Sequence, residues 1–168
     1  YEIAQCLVGS EMCIRDSVKT GHVLTADNLE NRFTSRYMDI PNTPLYPFGF
    51  GLSYTEFDVS DVEVRMEQDK RVYVHCKVSN TGKVAGAEVV QCYYETLCSS
   101  VVRPRKELVR FQRVFLEPGE KKTVDFSIDR EEFSYYDENM EIVCSQMKLR
   151  ISIGNSSDHE WGNSVIFV

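Results

Sequence analysis

The chain contains the sequence Val72-Tyr-Val-His-Cys-Lys-Val-Ser-Asn-Thr-Gly82, in which apolar side chains recur at every second position. Successive side chains of a β-strand point to opposite faces of a sheet, so a period of two predicts a strand with one buried face. Asn80-Thr-Gly82 supplies residues that favour a turn after the strand. We therefore expect a half-buried strand that ends near residue 80.

The same period recurs along the chain after residue 57. It predicts further strands at Val62 to Met66, Val90 to Tyr94, Leu108 to Leu116, Val124 to Ile128, Met147 to Ile153 and Ser164 to Val168. Asp137-Glu-Asn139 reads as a hairpin loop between Phe133 to Tyr136 and Glu141 to Cys144. Seven to eight short strands predict an all-β fold, an antiparallel β-sandwich. The longer loop over residues 96–106 suits a crossover between the two sheets.

Before the strands lies the connector Asn42-Thr-Pro-Leu-Tyr-Pro-Phe-Gly-Phe-Gly-Leu-Ser-Tyr-Thr-Glu-Phe57. Proline restricts the backbone and glycine permits tight turns, so this segment is shaped rather than random. Its aromatic side chains would form a large exposed apolar surface if the connector were free in water. We expect the connector to be clamped against protein.

These segments resemble family-three glycoside hydrolases, the β-glucosidases and their relatives. The motifs that carry the resemblance are Asn31 to Asp39, the connector, Val78-Ser-Asn-Thr-Gly82, Gly86-Ala-Glu-Val-Val-Gln91, Arg103-Pro-Arg-Lys-Glu-Leu108, Phe115-Leu-Glu-Pro-Gly-Glu120 and Phe133-Ser-Tyr-Tyr-Asp137. The resemblance covers residues 20–168. It implies that the sandwich is a C-terminal fibronectin-III/immunoglobulin-like domain, joined by the connector to the catalytic domains of a retaining β-glucosidase or β-xylosidase.

The start of the chain does not resemble the family, and we expect it to have a different origin. Residues Cys6-Leu-Val-Gly-Ser-Glu-Met-Cys-Ile-Arg-Asp-Ser17 resemble a translated sequencing-library adapter, and a native short helix or strand is the alternative. We therefore divide the chain into a non-native tail (1–17), the end of a preceding α/β domain with its linker (18–56), and a fibronectin-III-like domain (57–168).

The composition excludes several classes of protein. Of 168 residues, 42% are hydrophobic, which is enough for a folded core. The chain is too short for a complete hydrolase barrel of about 250 residues. It has no apolar run near the ~20 residues of a membrane helix. The net charge of −7 disfavours binding to a nucleic-acid backbone. We expect neither nucleic acid nor a membrane as a partner.

A local basic run, Arg103-Pro-Arg-Lys106, is followed by Arg110 and Arg113 but interrupted by Glu107. We interpret it as a solvated strand face. Without the tail, the cysteines are Cys76, Cys92, Cys98 and Cys144. Their spacing matches neither a zinc nor a haem motif, so we expect no metal or cofactor. Cys76 and Cys92 lie in strands and are expected to be buried free thiols; the even count leaves a disulfide open. We expect a cytoplasmic location, with secretion as the alternative.

The acidic pairs and the histidines are the candidates for catalytic groups in this chain. The pairs Glu131-Glu132 and Asp137-Glu138 lie among turn formers, where solvated carboxylates are ordinary. His22, His75 and His159 are far apart in sequence and have no recognised nucleophile partner. The family resemblance implies a nucleophilic aspartate in a Ser-Asp-Trp-like motif, which neither Ser60-Asp61-Val62 nor Ser157-Asp158-His159 matches. We expect no catalytic residue in this chain.

Trp161, together with Tyr93, Tyr135 and Tyr136, could form a platform that stacks on a sugar, but we favour packing on the sandwich or at an interface. Asn155-Ser156-Ser157 matches a glycosylation sequon and is favoured as a turn. The sequence thus predicts a non-catalytic domain that stabilises the catalytic domains of its own polypeptide and meets an oligosaccharide or glucoside substrate through them. The alternative is a free-standing carbohydrate-binding or adhesion module.

Overall fold

Nine β-strands and one short 3₁₀ helix form the regular structure of the described residues. The structure is a computed structural model, and it describes residues 46–67, 70–97, 101, 103–104, 106–144 and 147–168. The elements are β1 (Phe57–Met66), β2 (Arg71–Asn80), β3 (Gly86–Thr96), β4 (Glu107–Leu116), β5 (Lys121–Asp129), the 3₁₀ helix (Arg130–Phe133), β6 (Tyr135–Tyr136), β7 (Ile142–Val143), β8 (Lys148–Gly154) and β9 (Glu160–Phe167).

Seven of these strands form two antiparallel sheets. The three-stranded sheet has the order β1-β2-β5, and the four-stranded sheet has the order β4-β3-β8-β9. The strands β6 and β7 form a separate two-residue hairpin. The fold is thus the predicted all-β sandwich, with three strands in one layer and four in the other.

The core lies between the two sheets. It consists of the residues that point inward at every second position along the strands. In β2 the buried positions are Val72, Val74, Cys76 and Val78, as the period of two predicts. The predicted apolar positions of β5 and β8 are buried too, as are Phe133 and Met147 beside them. Each such side chain stabilises the sandwich by about 1.5–3 kcal/mol relative to an exposed one.

The first strand differs from its prediction. The register of β1 against β2 shifts between Ser60 and Glu63, and Asp61 has a left-handed φ of 53°. An extra residue in one strand is a β-bulge, and it changes which residues face inward. Val59 is therefore buried before the bulge, whereas Met66 at the end of the strand is 38% exposed and not a core residue.

One connection and two strand boundaries also differ from the sequence prediction. The loop after β3 does not cross between sheets, because β3 and β4 are hydrogen-bonded neighbours in one sheet. Phe133 belongs to the 3₁₀ helix, and the hairpin strand begins at Tyr135. The last strand begins at Glu160 rather than Ser164, since Gly154 already pairs with Glu160 across a register shift.

The described cysteines are free thiols. Cys76 and Cys92 are completely buried, as predicted, and Cys144 is partly exposed. Burial raises the pKa of the Cys76 thiol to about 11 and that of the Cys92 thiol to about 12. The prediction for Cys98 lies outside the described residues, as do those for residues 1–17 and for His22. Within the described part of the chain, no helix has the length and apolar character needed to span a bilayer.

Candidate functional site

Strand β3 is buried on both of its faces. Val90, Cys92 and Tyr94 face the core, so the alternate residues Gln91 and Tyr93 point to the outer face of the four-stranded sheet. Yet Gln91 is only 5% exposed and Tyr93 only 2% exposed. Something must therefore cover the outer face at these two positions.

The cover is the connector that precedes β1. The amide nitrogen Nε2 of Gln91 donates to the carbonyl oxygens of Gly49 at 3.1 Å and of Asn155 at 2.6 Å. The backbone N–H of Ser157 donates to the carbonyl oxygen of Phe48 at 2.8 Å. The Tyr93 hydroxyl donates to the Gln91 side-chain oxygen. We call this set of contacts among Phe48, Gly49, Gln91, Tyr93, Asn155 and Ser157 the linker clamp.

The linker clamp requires glycine at position 49. Gly49 has a φ of +79°, in the left-handed region that disfavours side chains. A Cβ atom at this position would also overlap the Gln91 side chain. The backbone can therefore approach Gln91 closely enough to bond to it only when residue 49 lacks a side chain.

Lys106, which precedes β4, contacts both the clamp and the first residue of β9. Its side chain is 15% exposed, and its Nζ donates to the Ser157 carbonyl oxygen at 2.7 Å and pairs with Glu160. The same ammonium lies 5.6 Å from the centre of the Tyr93 ring. Burial opposes ionisation of Glu160, but the hydrogen bond and charge of Lys106 prevail, so the pKa of Glu160 is lowered.

A second contact holds the connector just before β1. The Thr55 hydroxyl donates to the side-chain oxygen of Asn80 at 2.8 Å, and the N–H of Thr81 donates to the carbonyl oxygen of Glu56 at 2.9 Å. Asn80 is buried, and its amide nitrogen donates to the carbonyl oxygen of Leu116 at 3.1 Å. The connector is thus fixed to the sandwich at both ends of its described course.

The clamp holds the connector by its backbone and leaves aromatic side chains outside. Tyr46 is 52% exposed, Phe48 42%, Phe50 46% and Tyr54 99%, whereas Phe57 packs against the core. The connector is therefore bound as expected, but these four aromatic side chains are not covered by the described part of the chain. The carbonyl oxygens that hold the connector to Gln91 and Ser157 belong to Gly49 and Phe48.

The side chain of Arg103 is largely covered, contrary to the interpretation of the basic run as a solvated face. Its side chain is 8% exposed; Nη2 donates to the Tyr94 hydroxyl at 2.9 Å and to Glu107 at 3.2 Å. Nη1 donates to the Phe133 carbonyl oxygen at 3.4 Å, and the guanidinium lies 5.0 Å from the centre of the Tyr135 ring. This arginine joins the loop before β4 to the region after β5.

In each acidic pair that is a candidate for catalysis, one carboxylate has a structural role. Glu132 pairs with Arg110 and accepts the N–H of Asp129 at 3.0 Å, and the Arg110 hydrogen bond lowers its pKa. Asp137 accepts the backbone N–H groups of Asn139 and Glu141 at 2.8 and 2.9 Å. The bond from Glu141 is the main reason that the Asp137 pKa is lowered. Both carboxylates hold turns together.

The candidate aromatic platform is divided among different surroundings. Tyr93 lies beneath the connector, while Trp161 packs against the core and meets the His159 ring edge-on at 5.5 Å. Tyr135 lies beside Arg103, and Tyr136 is 58% exposed. His75 projects outward, as expected, and pairs with an aspartate of β5. The described residues contain no group of three or more potential metal ligands.

Comparison with known proteins agrees with this architecture. A model of the fibronectin type III-like domain matches residues 88–157. The chain is 45% identical over 130 residues to the periplasmic β-glucosidase of Salmonella typhimurium, covering 76% of this chain and 17% of that enzyme. The structure of the Listeria innocua β-glucosidase in complex with glucose aligns with a TM-score of 0.81 and 37% identity, over 89% of this chain and 21% of the other. The sandwich is a fibronectin type III-like domain of the family-three glycoside hydrolases.

Other relatives place the domain in the same family. It is 50% identical over 105 residues to the thermostable β-glucosidase B of Acetivibrio thermocellus, covering 60% of this chain and 14% of that protein. The chain thus spans less than a fifth of the length of both curated relatives. The fibronectin type III-like domain matches the C-terminal region of these β-glucosidases.

The roles of three residues of the site were not predicted from the sequence. Gln91 interrupts the run Val89-Val-Gln-Cys-Tyr-Tyr94, and a nearly continuous apolar run can signal a strand covered on both faces. A polar residue inside such a run requires a buried partner. Lys106 and Arg103 gave no comparable signal, because long basic side chains are ordinarily exposed.

Proposed function

We propose that this chain supplies the non-catalytic fibronectin type III-like domain of a larger β-glucosidase-type hydrolase and that the domain supports the catalytic part. The observation that carries the proposal is the linker clamp. It fixes the chain that enters the sandwich by buried, hydrogen-bonded polar groups, and it thereby sets where the preceding domain can lie. A flexible tether would need no such contacts.

The catalytic groups would then come from the rest of the polypeptide. Retaining glycoside hydrolysis needs two carboxyl groups about 5–5.5 Å apart across the scissile bond. Glu132 and Asp137 instead hold an arginine and two backbone amides. We therefore assign no catalytic, cofactor or metal role to this chain. We divide it into a non-native tail (1–17), the end of a preceding domain with the linker (18–56), and the domain itself (57–168).

The names of the relatives support a proposal for the substrate of the whole protein. The matched proteins are named as β-glucosidases, and one from Formosa agariphila, 39% identical, is named a putative β-xylosidase. We propose hydrolysis of β-linked glucosides or xylosides by the whole protein. The acidic net charge of −7 argues against nucleic acid as a partner.

We also propose a cytoplasmic location. Cys76, Cys92 and Cys144 are free thiols, which persist in a reducing compartment. The Salmonella relative is named as periplasmic, so the periplasm is the competing location. Cell fractionation of the whole protein distinguishes the two compartments.

The test is an exchange of domains. The 130 residues of this chain that match the Salmonella enzyme replace their counterparts in it. We expect this chimera to hydrolyse an aryl β-glucoside, while this chain alone and the Salmonella enzyme without its matching region do not. An inactive chimera would contradict the supporting role. Turnover by this chain alone that disappears in Glu132→Gln or Asp137→Asn would overturn the non-catalytic assignment. Micromolar binding of cello-oligosaccharides by this chain, lost in Trp161→Ala, would favour a carbohydrate-binding module.

A further inference from the structure

The outer faces of the two sheets differ in chemistry. On the three-stranded sheet, outward residues of β2 and β5 form polar pairs across the strands. His75 lies 2.7 Å from Asp125, and Arg71 lies 2.6 Å from Asp129. The valines and Cys76 of β2 point inward, and Tyr73 lies on the outer face. This outer face is suited to contact with water.

The outer face of the four-stranded sheet is apolar along β4. Phe111 lies opposite Gln91, and Phe115 lies opposite Ala87. Directly opposite residues of paired strands share a face, so both phenylalanines lie on the same side as the linker clamp. Phe111 is 68% exposed and Phe115 is 50% exposed, with Arg113 between them on the strand. Two exposed phenylalanines on one strand face mark a surface suited to a protein partner.

The connector joins this face to the rest of the chain. The clamp places Phe48 and Gly49 over Gln91, next to Phe111 in the sheet. Residues 1–45 precede the clamp in the chain, and the matched β-glucosidases are several times longer than this chain. The connector therefore meets the sandwich at the apolar outer face and not at the charged one.

We propose that the outer face of β3 and β4, at Ala87, Phe111, Arg113 and Phe115, packs against the catalytic part of the same polypeptide. This inference rests on the proposed function and adds the orientation of the domain. The complementary surface is apolar opposite the two phenylalanines and carries a carboxylate opposite Arg113. The charged face of the three-stranded sheet points away from the catalytic part.

Site-specific photo-crosslinking in the chimera tests the orientation. The photoreactive amino acid p-benzoylphenylalanine replaces Phe111 or Phe115 on the apolar face. In matched controls it replaces Tyr73 or His75 on the charged face. Each variant is first assayed for aryl β-glucoside turnover, then irradiated, and its crosslinked peptides are mapped by mass spectrometry. The two positions on each face ensure that a single poorly folded variant does not determine the result.

We expect position 111 or 115 to crosslink to peptides of the catalytic part several-fold more than positions 73 and 75. An active chimera in which positions 73 or 75 give the crosslinks would overturn the orientation and leave the proposed function intact. An active chimera without crosslinks from either face would overturn it too. Crosslinks from position 111 to a second copy of the chain would assign the face to self-association and contradict the proposal. An inactive chimera would count against the proposed function itself.

Discussion

The linker clamp depends on single atoms at two residues. Gln91 uses both hydrogens of its side-chain amide, one for the connector and one for the Asn155 carbonyl oxygen. A buried amide that loses a partner costs about 1–3 kcal/mol, so Gln91 favours the docked connector. Gly49 makes this possible because its missing Cβ leaves room for the amide. Position 49 therefore controls docking without contributing a side chain.

Replacing Gly49 by Val should undock the connector. A residue with a Cβ costs about 1–2 kcal/mol in the left-handed region, and the new side chain would overlap Gln91. We expect the free energy of unfolding in urea to fall by about that amount. The backbone N–H of Ser157, which bonds to Phe48, should exchange faster with deuterium. Gly51→Val is the matched control, because no atom lies within 4 Å of a Cβ there; an equal effect of both variants would contradict the prediction.

The two buried thiols predict a loss of stability at alkaline pH. An unfolded thiol ionises near pH 8.5, whereas burial raises the pKa of Cys76 to about 11 and of Cys92 to about 12. Above about pH 8.5 the unfolded chain binds fewer protons than the folded chain, so stability falls as the pH rises, until the folded thiols ionise. The slope reaches about 1.4 kcal/mol per pH unit for each thiol.

Urea unfolding of the Cys92→Ala variant between pH 8 and 11 checks this dependence. The variant should have lower stability at pH 8 because of its cavity, but a shallower decline toward pH 11. Cys144→Ala, at a partly exposed position, is the control. An unchanged slope in Cys92→Ala would refute the assignment of the alkaline loss to this thiol.

At the scale of elements, the sequence predicted those strands that face water on one side. The alternation in β2 and β5 located their inward residues, because a solvated face leaves polar residues between apolar ones. The alternation also located the inward residues of β8, although Ser152 on its outer face is buried. Strand β3 was located, but the cover on its outer face was not predicted, since Gln91 and Tyr93 look like ordinary outward residues. The bulge at Asp61 was missed because it changes the backbone and not the pattern of residue types.

The prediction of a crossover for the loop before β4 was wrong for a related reason. Its length suggested a crossover, yet it joins two neighbouring strands. Two residues of the loop make specific contacts. Arg103 bonds to Tyr94 and Glu107, and Lys106 bonds to the clamp. Sequence reasoning treats a basic run as solvated, and only the three-dimensional positions of carbonyl oxygens and carboxylates identify a buried arginine.

Replacing Arg103 by Lys should loosen this loop. Lysine keeps the charge but lacks the planar guanidinium that reaches Tyr94, Glu107 and Phe133 at once. Because hydrogen bonds of charged groups contribute about 1.5–3 kcal/mol, we expect a loss of that size in the free energy of unfolding. Arg113→Lys, on the exposed face of the following strand, should change stability by less than about 0.5 kcal/mol. Equal losses in the two variants would contradict a special role for Arg103.

At the scale of the whole molecule, the sandwich holds the core and the connector adds to it. The buried apolar cluster comes from strands β1 to β5, the 3₁₀ helix, β8 and the adjacent residues Met147 and Val168, so residues 57–168 contain what a sandwich needs to fold. The connector brings hydrogen bonds to Gln91, Ser157 and Asn80 and covers Tyr93. Each such bond contributes about 0.5–1.5 kcal/mol, against the entropy lost when the connector is ordered.

We therefore expect residues 57–168 to fold cooperatively but to be less stable than residues 46–168, by on the order of 2 kcal/mol. The connector adds little to the stability of the unfolded state, because it is short and its contacts exist only in the folded state. Urea unfolding followed by circular dichroism measures the difference. Adding Gly49→Val to the longer fragment should remove most of it, since that variant undocks the same contacts. If the two fragments have equal stability, the connector is not docked in solution; if the shorter fragment does not fold, the connector belongs to the core of the domain.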